Sequence, residues 1–223
     1  MRRSLALAGL ALALAGGAGA AMMRAPAAPA ELPAGPTAPG PDSAQVARFL
    51  AALEAADPAV CYDVADAFGN FWWGHRSLGI GDLADRPDPL RARRDSLRGP
   101  IGDPAALRFL RNRLDTPSSC VRRVAAKMLG QSWPASRETV LAALEASSPR
   151  VREAALLSLG TVEDPATRER IERALGDNDP AVARMAAWAV GQIEDPRSLA
   201  PLRSLLGAKD QRVVASAIWA LGQ

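Results

Sequence analysis

The sequence predicts an all-α fold, a solenoid of two-helix units repeated about every 31 residues. Three observations predict it: four segments that superpose without gaps, helix-start signals in the same phase, and an apolar content dominated by alanine. The segments are Val121 to Gly130 (VRRVAAKMLG), Val151 to Gly160 (VREAALLSLG), Val182 to Gly191 (VARMAAWAVG) and Val213 to Gly222 (VVASAIWALG). Their starts are spaced 30, 31 and 31 residues apart. First, fifth and ninth positions are apolar or Ala, which places one stripe on a helix, here helix A. The closing Gly reads as a left-handed stop that lets the chain turn back.

Start signals follow. Ser118, Ser148, Asp179 and Asp210 each stand three residues before the opening Val, where a side-chain oxygen caps free backbone N–H groups. Pro149 and Pro180 occupy the favoured first helical position. Asp103-Pro104, Trp133-Pro134, Asp164-Pro165 and Asp195-Pro196 open a second helix, B, after each Gly. Leu110, Val140, Ile171 and Leu202 fall at one buried position of helix B, and Leu114, Leu144, Leu175 and Leu206 at another. Composition agrees: 48% of residues are hydrophobic but only 4% aromatic, which suits closely packed helices better than a β-sandwich.

A helix of the form V-R-x-A-A-x-x-L-G followed by an Asp-Pro-capped helix resembles the HEAT-like repeats of the phycobilin-lyase type. The resemblance covers about residues 103–223 well and 57–102 poorly. It implies a right-handed α-α superhelix with a concave face lined by B helices, and protein–protein binding as the usual role. Chromophore attachment is confined to particular members of that family.

Before the repeats, Arg2 and Arg3 precede an uncharged stretch, Ser4 to Met23, with Ala18-Gly19-Ala20 as a small-x-small cleavage site. Residues 1–20 read as a signal peptide; an uncleaved anchor reaching about residue 23 is the alternative, since about 20 apolar residues span a bilayer. No Cys lies near the cut, which excludes a lipoprotein. Residues 21–43 are a Pro-, Ala- and Gly-rich disordered linker. The folded part is therefore expected outside the cytoplasm, in the periplasm or cell envelope of a bacterium. Net charge is +3, and losing Arg2 and Arg3 leaves +1, so charge gives no warrant for nucleic-acid binding.

Residues 44–102 are divergent helical repeats or a cap. Asp57-Pro58-Ala59-Val60 and Asp88-Pro89-Leu90 keep the phase, with Val60, Val64 and Phe68 in the stripe and Gly99 at the stop. Arg91 to Arg98 is too polar to bury a face in a stack. Trp72, Trp73 and His75 in between, with Arg91 and Arg94, either plug the exposed end of the solenoid or form an aromatic–Arg binding surface. Trp188 and Trp219 share one helix A position, also held by Lys127 and Leu157; they are packing between units or a half-exposed strip for a partner. On the B helices, Arg108, Arg111, Arg173 and Arg203 belong to a mixed charged face that is either solvated or lines the groove.

Catalysis is not expected. His75 is the one His, no nucleophile elbow surrounds any Ser, and no His/Cys/carboxylate spacing suits a metal. No Gly-rich phosphate loop occurs, and no cofactor is expected. Cys61 and Cys120 lie two units apart in phase, on the order of 20 Å for helices packed at about 8–10 Å, so two unpaired thiols are expected. The chain ends at Leu221-Gly222-Gln223, where a helix A ends. The last repeat is read as incomplete, the sequence being a fragment or the open face meeting another chain. The expected function is a protein-binding scaffold, with a pigment-binding lyase-like protein or a structural spacer of a larger membrane-associated protein as rivals. The expected partner is another protein, with the membrane touched only through an uncleaved amino-terminal segment.

Overall fold

The computed structural model describes residues 40–57 and 99–223, with Val60, Val64, Leu90 and Leu97. All described residues that form regular structure are helical. The amino-terminal segment, Trp72, Trp73, His75, Arg91 and Arg94 lie outside the described residues. No helix among the described residues is long and apolar enough to cross a membrane.

Asp42 starts α1 (Ser43–Glu54) with a capping box, its side chain accepting from the Gln45 N–H while Gln45 returns the bond to the Asp42 N–H. Among the described residues, eight helices after residue 99 follow in pairs: α2 (Pro104–Arg113) and α3 (Ser119–Gln131), α4 (Arg137–Leu144) and α5 (Pro149–Val162), α6 (Arg168–Arg173) and α7 (Pro180–Ile193), α8 (Leu199–Ser204) and α9 (Gln211–Leu221). Short 3-10 turns flank α6 and α8 on both sides. Helices α3, α5, α7 and α9 are the A helices of the sequence pattern, and α2, α4, α6 and α8 the B helices.

The cap positions agree with the sequence. Ser118, Asp179 and Asp210 accept from the backbone N–H groups of Val121, Ala181 and Arg212. Asp103, Asp164 and Asp195 do the same for the B segments. Arg197 also donates to Asp195 and Arg212 to Asp210, and these hydrogen bonds lower both carboxyls to about 2. Ser148 stands at its predicted N-cap but donates to Asp115 instead, a tie between successive turns. In the second unit the helix starts later, after Ser136, with no side-chain cap.

Leu110, Val140, Ile171 and Leu202 are all buried, as their shared register requires. Leu114, Leu144 and Leu175 are buried too, whereas Leu206 is 45% exposed, no helix packing over it as the following units do over its counterparts. Each B helix packs on the A helix that follows it rather than on the one before. The packed unit is thus B then A, and α9 is the second member of the fourth pair.

The repeated glycines differ from the sequence expectation. Gly130, Gly160 and Gly191 lie inside α3, α5 and α7, and the left-handed residues that end α5 and α7 are Glu163 (φ 55°) and Glu194 (φ 54°). What these glycines supply is space. A Cβ on Gly160 would enter the ring of Trp188 on the next A helix; one on Gly191 would come within 2.7 Å of the Trp219 Cζ3. Ala125, Ala126, Ala154, Ala155, Ala186 and Ala187 are buried along the same layer. Ser158 crosses it, its hydroxyl donating 2.7 Å to the Ala126 carbonyl. Of the glycines in phase, Gly99 (φ 104°) is the one in the left-handed region among described residues.

The amino-terminal part also departs from a regular stack. Helix α1 packs directly on α2 and α3, and the Ser43 N–H donates 3.2 Å to the Asp103 carboxylate. Val64, Leu90 and Leu97 are buried in the same core, although the stretch around Leu97 is polar. Helix α1 therefore lies directly against the first repeat pair, not two stacked units before it.

Replacing Gly160 by Ala is expected to destabilise the chain by about 1–3 kcal/mol, because Trp188 must leave its seat. Gly176→Ala, at a site with open space around it, is the control and should change stability by less than about 1 kcal/mol. Urea unfolding of the two variants makes the comparison; equal effects would refute the notch.

Candidate functional site

Successive A helices pack along their length, whereas beyond the α2–α4 pair successive B helices barely touch. A two-layer stack that is tight on one side and open on the other curves with the tight side inward. The A layer is therefore the inner one, and the expectation of a concave face lined by B helices is corrected.

A groove of about 520 Å³ runs across this inner layer, formed by the end of α1 and the first turns of α3, α5 and α7. Its buried floor includes Leu53, Ala154 and Leu157, with Met185 and Cys120 half-buried beside them. Arg122, Arg123, Arg150 and Arg184 line it together with the carboxylates of Glu54 and Glu153. Arg184 donates 2.9 Å to Glu153, pairing α7 with α5.

Two arginines of the V-R motif serve the fold. Arg122 donates to the carbonyls of Thr116 and Pro117 at 2.7 and 2.9 Å. Arg152 repeats this with Ala146 and Ser147, both at 2.9 Å, and grips both Asp177 oxygens at 2.8 and 2.9 Å. These bonds from Arg152 hold the Asp177 carboxyl below the usual carboxylate range, against the effect of burial. Each clip fixes the turn leading into an A helix and so the edge of the groove.

Those residues singled out in the sequence that the structure describes fall elsewhere. Arg108, Arg111, Arg173 and Arg203 are exposed on the outer B layer and none of them lines the groove. Arg111 and Arg203 share a register position, with Glu172 between them in phase, while Arg108 and Arg173 sit on other turns. Trp188 is 8% exposed, its ring seated over Gly160, and Trp219 is partly buried over Gly191. Packing between units accounts for both rings. The groove arginines and Met185 carry no motif that separates them from ordinary surface positions; Arg123, Arg184 and Met185 stand two or three residues after the opening Val, whereas Arg122 follows it directly and Arg150 precedes it.

A family model described as HEAT repeats matches residues 137–222, from α4 through α9. The carboxy-terminal units are similar to HEAT repeats. HEAT repeats generally mediate protein–protein interaction, and the family is typically a non-enzymatic scaffold. No curated protein matches the chain. Among the described residues, no group of three His, Cys, Asp or Glu side chains is placed to hold a metal.

Cys120 is disulfide-bonded, and no cysteine among the described residues is free, which overturns the expectation of two unpaired thiols. The chain's only other cysteine is Cys61, outside the described residues. The physical reason is the direct packing of α1 on α3: the distance of two stacked units does not exist here. The bond places a covalent link at the edge of the groove. Without reductant, alkylation of the unfolded chain should label no cysteine. Reduction should lower stability by on the order of 4 kcal/mol, as expected for a closed loop of about 60 residues. Two thiols reactive before reduction would contradict the bond.

Proposed function

We propose that this chain is an exported, non-catalytic scaffold that holds another protein in the groove of its inner A layer. The observation that carries the reading is the groove itself, where four helices converge on an apolar floor with guanidinium groups around it. An apolar centre with a charged rim is the arrangement of protein-binding hot spots, in which buried anchors supply affinity and rim charges supply specificity. The similarity of residues 137–222 to HEAT repeats supports binding as the activity. Export rests on Arg2 and Arg3 before the uncharged stretch and on the small-residue cleavage site, Ala18-Gly19-Ala20. The outer arginines Arg108, Arg111, Arg173 and Arg203 are then a solvated face.

A photo-crosslinking residue placed singly at Glu54 or Arg150, both exposed at the groove, is expected to capture one defined envelope protein in intact cells. The same residue at Arg108 or Arg203 on the outer layer should capture it weakly or not at all. Capture from the outer positions alone, identified by mass spectrometry, would remove the groove from the proposal.

A further inference from the structure

We infer that the groove takes an acidic peptide segment bearing an apolar side chain. This rests on the reading that the groove is the docking site and adds the chemistry of its occupant. Among the described residues, four arginines line the groove against two carboxylates; Glu153 pairs with Arg184 at 2.9 Å, and Arg123 has a partner of its own, which leaves Arg150 as the exposed cation of the site. Arg150 is exposed and forms no ion pair among the described residues. Arginine's planar fork suits bidentate bonding to a carboxylate, so the excess charge selects Asp or Glu side chains. Between the guanidinium groups lie Leu53, Ala154 and Leu157, which offer an acid nothing and an aliphatic or aromatic side chain a dry contact. A volume of about 520 Å³ lies within the range of pockets that enclose a ligand.

Two other anionic partners fit less well. A lipid surface is flat on the scale of the groove and cannot reach a buried floor in a concave face. Single-stranded nucleic acid is held by aromatic stacking, and no aromatic side chain among the described residues lines the groove.

The test uses the full chain and three fluorescein-labelled peptides of equal length: one alternating Glu or Asp with Leu or Phe, one with Lys in place of each acid, and one with Ser in place of each acid. Fluorescence anisotropy should show the acidic peptide binding at least about tenfold more tightly than either, a difference of about 1.4 kcal/mol, and weakening as salt rises. Arg150→Glu should weaken that binding by about tenfold or more; Arg108→Glu, the same charge change on the outer layer, should leave it within about twofold. Circular dichroism of each variant confirms that it is folded. Equal binding of the three peptides, preference for the basic one, or binding only to vesicles containing phosphatidylglycerol would overturn the inference. The groove reading would survive those results if crosslinking from Glu54 and Arg150 still captured a protein. Acidic-peptide binding that Arg150→Glu spares and Arg108→Glu abolishes would overturn both.

Discussion

The close approach of neighbouring A helices is the constraint on which the rest of this structure depends. It exists because Gly160 and Gly191 leave out a Cβ where the rings of Trp188 and Trp219 must sit. Alanines on either side keep the backbones near enough for the buried Ser158 hydroxyl to reach the carbonyl of Ala126. Dispersion contacts are small individually and fall off quickly with separation, so this layer is held by proximity itself. A larger residue at either notch would push one helix off the next and straighten the stack.

The outer layer is held by different means. There the B helices stand further apart, and long polar side chains bridge the space. Arg168 is nearly buried; it donates 2.7 Å to Glu172 and lies 3.5 Å from Asp195 of the following unit, while Ser198 donates 2.6 Å to Glu172. Such a network tolerates a wider spacing than methyl-to-methyl packing does. Curvature therefore follows from chemistry: small residues inside, hydrogen-bonded arginine outside. The groove is the cavity this difference opens at the amino-terminal ends of α3, α5 and α7, with α1 closing one side.

Much of the fold was legible because it is written in local signals. Ser118, Ser148, Asp179 and Asp210 mark the starts of A helices, and Leu110, Val140, Ile171 and Leu202 mark a buried stripe. What escaped was what depends on neighbours. A glycine near a helix end has the same letter whether it turns the chain or receives a ring, and only Trp188 against Gly160 decides between them. Which layer lies inside depends on the difference in spacing between two layers, which no single helix encodes. Cys120 was misjudged because phase alone implied a separation of two units, whereas α1 packs straight onto α2 and α3. The outer arginines drew attention through number and alternation; Arg150 and Arg184, less conspicuous in the sequence, are the ones that face a cavity.

Hydrogen exchange on the full chain, alone and with the acidic peptide, tests most directly whether the inner layer is the binding face. The account predicts that slowed exchange on binding is concentrated in the first turns of α3, α5 and α7 and the end of α1, with α2, α6 and α8 unchanged. Protection centred on the B helices, with the A-layer ends unaffected, would contradict it.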